Sequence, residues 1–128
     1  MVTLQDNRIR RVAYWTATAL VVFQLGSGGV GDILRIPPVL EGMTRLGYPA
    51  YFCVILGVWK VLGAAAVLAP GFPLLKEWAY AGAVFELTGA AASHWAMGGT
   101  AMDVAAPLLF TAFAVLSWAL RPASRRLG

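Results

Sequence analysis

Apolar residues fall in four runs, roughly Val12–Val30, Ala50–Ala69, Trp78–Met97 and Val104–Leu120, with polar or Pro/Gly-rich stretches between them. About 20 residues at ~1.5 Å rise cross the ~30 Å hydrocarbon core of a bilayer, and each run is close to that length. None keeps the polar face that a water-exposed helix needs. The one sizeable connection, Asp32–Pro49, has its own helical period. Val39, Leu40, Met43 and Leu46 share one side, with Glu41, Thr44 and Arg45 on the other. Pro37-Pro38 suits the start of this helix, and Gly47-Tyr48-Pro49 suits its end. The pattern predicts an all-α fold: an integral membrane four-helix bundle, one domain over residues 1–128, with a short interfacial helix in the outer loop between spans one and two.

Composition agrees. Hydrophobic residues make up 59% of the chain and charged residues 12%, with a mean hydropathy of +0.71, well away from soluble globular proteins. The net charge of +4 is unevenly placed. Arg8, Arg10, Arg11, Lys76, Arg121, Arg125 and Arg126 flank one side of the predicted spans, and only Arg35 and Arg45 flank the other. The positive-inside rule therefore predicts a multi-pass protein of the bacterial inner membrane with both termini cytoplasmic. Basic residues beside a bilayer meet anionic lipid headgroups, so membrane lipids are the expected partners and nucleic acid is not. Arg8–Arg11 and the apolar run after it superficially suggest a secretory signal, but the run is too long and lacks an A-x-A-like site; cleavage is not expected.

Three ionisable side chains lie at or near membrane depth: Lys60, Glu86 and His94, together with the amide of Gln24. Lys60 is about nine residues from one end of span two, and Glu86 about nine from the matching end of span three. Nine residues are ~14 Å of helix, so both are expected near the midplane, on antiparallel neighbours joined by a short Pro/Gly turn. Isolated, each charge costs about 3 kcal/mol on insertion scales, which predicts that they pair. Gly82, Glu86, Gly89 and Ser93 form one helical stripe, as do Gly57, Lys60 and Ala64, and small residues allow close approach. The glycines from Gly26 to Gly31 are expected both to permit such approach and to end the first span. Two readings stand for the pair: a structural lock between helices, or a site in which Glu86 exchanges a proton and Lys60 sets its charge. His94, eight residues beyond Glu86, is a proton relay, a headgroup donor or an interfacial residue.

Other chemistries find no support. A single His cannot provide two axial haem ligands within one chain, and no Cys/His cluster has zinc spacing. Cys53 is alone, which excludes an intrachain thiol–disulfide shuttle. Gly26–Gly31 lacks the context of a phosphate-binding loop. No metal is expected.

The stretches Leu46-Gly47-Tyr48-Pro49-Ala50, Leu56-Gly57-Val58-Trp59-Lys60-Val61-Leu62-Gly63, Leu75-Lys76-Glu77-Trp78-Ala79-Tyr80-Ala81-Gly82 and Leu87-Thr88-Gly89-Ala90-Ala91-Ala92-Ser93-His94 resemble the DoxX-like family, over about residues 10–122. The resemblance implies a four-helix membrane topology and, through the thiosulfate:quinone oxidoreductase subunit that names the family, an oxidoreductase-related role with a quinone as candidate cofactor. Lys60 and His94 fall within matching motifs; Glu86 lies between them and rests on its depth. Members commonly carry a basic residue soon after the first-span glycines, where this chain has Asp32. The expected catalytic set is Glu86, Lys60 and His94, with Gln24, Trp59, Ser93 and Asp32 binding a quinone or another isoprenoid-like hydrophobic ligand. Two other functions remain open at this point: a non-catalytic accessory subunit or chaperone of a larger membrane complex, in contact with a membrane-protein partner or a second copy, and a cofactor-free acid–base enzyme such as an isomerase.

Overall fold

The computed structural model describes residues 4–126, with side chains from residue 7 onward. Five α-helices follow in order: α1 (Leu4–Leu34), α2 (Pro37–Arg45), α3 (Ala50–Leu68), α4 (Pro73–Ala96) and α5 (Ala101–Leu120), then a 3-10 turn at Ala123–Arg125. No strand occurs among the described residues. The fold is the expected helical membrane bundle. Segments Asn7–Leu34, Ala50–Leu68 and Ala101–Leu120 are each long and apolar enough to cross a bilayer. Helix α4 has 24 residues, about 36 Å of helix, but its charged side chains lower its hydropathy.

Helix boundaries follow local chemistry. Helix α2 opens on Pro37-Pro38 and is followed by Gly47 in the left-handed region (φ 91°). Its Val39, Leu40, Met43 and Leu46 side is half-buried while Glu41, Thr44 and Arg45 are exposed, as its period required. Helix α4 starts at Pro73, and Gly98 (φ 74°) stands just past its end. Helix α5 begins with a capping box: Thr100 Oγ1 accepts from the Asp103 backbone N–H, and the Asp103 carboxylate accepts from that of Thr100. Asp103 is thus the third residue of α5, which starts three residues earlier than the apolar run at Val104, and Thr100 is the cap. Pro107 sits inside α5, and Thr111 Oγ1 donates to its carbonyl.

Two expectations about the glycines are corrected. The glycine run does not end the first helix; α1 stays helical through Gly31 to Leu34. Gly29 and Gly57 explain why. A Cβ on Gly57 would lie 2.6 Å from the Gly29 carbonyl oxygen, and one on Gly29 would lie 2.9 Å from the Gly57 carbonyl oxygen. The two backbones touch, and this packing offsets glycine's roughly 1 kcal/mol helix penalty. The close approach expected on α4 is absent: a Cβ at Gly82 or Gly89 would meet nothing within 4 Å.

The start of α1 and the end of α5 lie together at one end of the bundle, here the terminal end. There Arg10 Nη2 donates to the Ala119 carbonyl (3.4 Å), and Arg125 donates to the carbonyls of Val67 and Leu68 (2.9 and 3.1 Å). The far end carries α2, and the connection from it to α3 is held by a 2.8 Å hydrogen bond between Tyr48 Oη and Ser93 Oγ. The core between them is small-residue and aliphatic: Val21, Leu25, Ala64, Ala83 and Ala114. Toward the terminal end it adjoins a buried hydroxyl cluster. In it Ser117 Oγ lies 2.6 Å from Thr18 Oγ1 and 2.8 Å from Tyr80 Oη.

Candidate functional site

Midway along α3, Lys60 points into the bundle and meets two carboxylates rather than one. Its Nζ is 3.2 Å from Asp32 Oδ2 and 3.3 Å from Glu86 Oε1. The three side chains are 10%, 6% and 17% exposed for Lys60, Asp32 and Glu86, so this is an interior triad. The α3–α4 pairing follows from matched depth. Asp32 joins because α1 continues past its glycines, which carries a residue expected in the outer loop into the bundle wall. Gly28 leaves room for the ammonium: a Cβ there would stand 3.3 Å from Lys60 Nζ and 3.9 Å from Gln24 Nε2.

The triad is short of hydrogen-bond donors. Asp32 Oδ2 faces Lys60 without an aligned hydrogen bond, and Glu86 Oε2 and Gln24 Oε1 are buried without a partner. Buried acceptors in this state cost roughly 1–3 kcal/mol each, more when charged. Two carboxylates around one ammonium also leave one surplus negative charge unless the cluster holds a proton. Such an arrangement can exchange a proton or accept a hydrogen bond from a guest.

Lys60 and Glu86 stand at the polar end of a cavity of about 710 Å³ between α3 and α4. The rest is apolar, running past Gly63, Ala66, Ala79 and Gly82 toward Phe72, Leu75 and Trp78 at the terminal end. Trp59, Leu62, Phe72, Leu75 and Trp78 line it yet are exposed, which puts its mouth on the bundle's outer surface. Among the expected site residues, the structure brings together Lys60, Glu86, Asp32 and Gln24, and places Trp59 on the cavity wall. Ser93 and His94 do not line this cavity. Ser93 is bound to Tyr48 at the far end, and the His94 carbonyl accepts from Gly99 N at 2.7 Å.

The cavity's terminal-end floor depends on a residue the sequence placed beside the membrane surface. Lys76 is only 1% exposed. Its ammonium donates to the carbonyls of Ala66 and Gly71 at 2.8 Å each, and to that of Ala69. With Arg125 on the next carbonyls, two distant cations satisfy the open C-terminal end of α3. They also hold the turn in which Phe72 adopts a left-handed backbone (φ 52°). The Pro70-Gly71-Phe72-Pro73 turn signalled the chain reversal, but nothing along the sequence signalled that Lys76 would fold back beneath it.

No curated protein and no solved structure matches the chain. A family model described as the DoxX-like family matches residues 16–117, a stretch that runs from the first turns of α1 within the bundle to Ser117 and includes every member of the triad and the cavity wall. The chain belongs to the DoxX-like family.

Proposed function

We propose that this protein binds an isoprenoid-like lipid, a quinone being one candidate, in the cavity between α3 and α4. The polar head would sit at Lys60 and Glu86, and the chain would extend along the apolar wall. The observation that carries this reading is the joining of a large apolar cavity to a buried charged cluster at one end. Ligand pockets of several hundred Å³ with a few convergent polar groups have this character. Ionisable residues inside a membrane domain also mark functional sites by default.

In this reading Glu86 exchanges a proton with the head, Lys60 sets its charge, and Asp32 holds the ammonium from behind. Gln24 borders the same polar group and Trp59 flanks the tail. His94 and Ser93 serve the far end, where Ser93 anchors Tyr48 in the connection between α2 and α3. The protein is further proposed to cross the bacterial inner membrane four times with both termini cytoplasmic, and an oxidoreductase-related role follows only if the ligand is a redox lipid.

Gentle purification followed by lipid extraction and mass spectrometry tests the reading. An isoprenoid lipid should accompany the native protein. It should be lost from Gly82→Phe, whose new side chain enters the cavity from a position with no neighbour within 4 Å. Retention of the same lipid by that variant would place the ligand elsewhere.

A further inference from the structure

We infer that this protein holds the phosphate of an anionic phospholipid in an arginine-lined pocket at the terminal end. This site is separate from the α3–α4 cavity and does not depend on the reading given to that cavity.

The pocket, of about 360 Å³, lies between the first turns of α1 and the segment that follows α5. Arg10 and Arg11 line it from α1 and Arg126 from beyond α5, with Asn7 beside them. These side chains are exposed, so a guest in the pocket can reach their donors. Tyr14 supplies a buried wall, and its enclosed hydroxyl takes no part. Two of the guanidiniums are held in place by backbone carbonyls. Arg10 Nη2 donates to Ala119 at 3.4 Å, and Arg126 Nε donates to Arg121 at 2.8 Å. A guanidinium has about five N–H donors, so most remain for a guest.

Charge at this end selects an anion. Arg121 is already paired with Glu77 at 2.8 Å, and Arg125 is spent on the Val67 and Leu68 carbonyls. Among the described residues, Arg10, Arg11 and Arg126 have no carboxylate within ion-pair reach. The other acid on this side is Asp6, which precedes the described side chains. Three guanidiniums less that one carboxylate would still leave two positive charges uncompensated. Phosphate oxygens only accept hydrogen bonds and carry negative charge, and forked guanidiniums match their geometry.

Depth selects a lipid over a soluble anion. The apolar segment Asn7–Leu34 has 28 residues, about 42 Å of helix. That is the thickness of a bilayer with its headgroup layers, roughly 40–45 Å, so the first turns of α1 lie among headgroups. The pocket runs along α1 from Asn7 to Trp15, about two turns deeper, and the Trp15 ring is exposed. Aromatic rings at this level border the hydrocarbon. A phospholipid can therefore set its phosphate among the arginines while its chains pass Trp15 into the bilayer.

The test titrates the purified full-length protein in detergent with dioleoyl phosphatidylglycerol and dioleoyl phosphatidylcholine, read by native mass spectrometry. The two share chains and phosphate and differ in net charge. Phosphatidylglycerol should bind at least about fivefold more tightly, and Arg11→Gln should weaken it by about fivefold, the scale of one basic residue at an anionic surface. Arg11 is exposed, so its loss should leave the melting midpoint in place. Arg8→Gln removes the same charge from an exposed residue of the same end that does not line the pocket, and should leave binding unchanged. Millimolar glycerol phosphate should not displace the lipid, and Gly82→Phe should still bind it.

Equal affinity for the two lipids, or equal losses from Arg8→Gln and Arg11→Gln, would reduce the pocket to a diffuse basic surface and overturn the inference. Displacement by glycerol phosphate would assign the arginines to a soluble anion instead. Loss of phosphatidylglycerol from Gly82→Phe would move the lipid to the α3–α4 cavity and leave this pocket without a ligand.

Discussion

At the scale of single residues, the central feature is an ammonium shared between two carboxylates inside the bundle. Removing one partner of a buried ion pair costs about 3–5 kcal/mol, chiefly because the other charge is left stranded. Lys60→Met strands both Asp32 and Glu86 and should prevent accumulation of folded protein, or depress its thermal transition severely in detergent. A two-residue lock would be repaired by Lys60→Met with Glu86→Gln. The triad predicts otherwise: that double variant still holds an uncompensated Asp32. Recovery should need Asp32→Asn as well, which circular dichroism on a melting series of single, double and triple variants would show. Full recovery in the double variant would mean that Asp32 contributes nothing. The Lys60–Glu86 contact was legible in the sequence because depth along a straight helix is simple counting. Asp32 was not, since a run of glycines followed by an acidic residue and prolines looks like a helix exit. Its helical state depends on the backbone of α3 passing within contact of Gly29, a fact about a distant segment.

At the scale of elements, the α1–α3 contact sets the geometry of the site. Gly57 lies one turn from Lys60, and its missing side chain lets α1 approach closely enough for Asp32 to reach the ammonium. Gly57→Ala puts a carbon 2.6 Å from the Gly29 carbonyl oxygen and 2.7 Å from an Ile33 side-chain carbon, so the helices must separate. The expected cost is roughly 1–3 kcal/mol, with a matching drop in the thermal midpoint. Gly82→Ala is its control: nothing lies within 4 Å and the alanine lifts glycine's helix penalty, so stability should hold or rise by up to about 1 kcal/mol. Equal melting of the two variants would contradict the close approach. The stripe of small residues on α4 looked the same in the sequence as the one on α3. A stripe records where closeness is permitted, and the neighbouring helix decides whether it is used. Here α1 uses Gly57, whereas Gly82 opens onto the cavity. The amphipathic outer helix α2 was legible for the opposite reason, since its prolines, its period and its terminal glycine all act locally.

At the scale of the whole molecule, the open question is the number of crossings, and α4 decides it. By hydropathy alone α1, α3 and α5 qualify as spans. Charge on α4 is a poor reason to exclude it, because that charge is satisfied inside the protein. Lys76 is enclosed by three carbonyls, and Glu86 faces Lys60. Glu77 lies 2.8 Å from Arg121 Nη2 and accepts from Trp118 Nε1 at 2.7 Å. Hydropathy counts each side chain as though lipid surrounded it, whereas intramembrane charges face protein partners. Four crossings put residues 41 and 124 on opposite sides of the membrane; three crossings that omit α4 put them on the same side. Both positions are exposed, whereas Cys53 is fully buried and is replaced by Ala to give a cysteine-free background. In spheroplasts a membrane-impermeant maleimide should label Glu41→Cys directly, and Ser124→Cys only after lysis. Labelling of both without lysis would take α4 out of the membrane. The reverse pattern would keep four spans but invert the orientation that the seven basic residues imply. The expected result places the mouth of the α3–α4 cavity against acyl chains, so that a long-chain lipid reaches Lys60 and Glu86 sideways from the bilayer without passing through water.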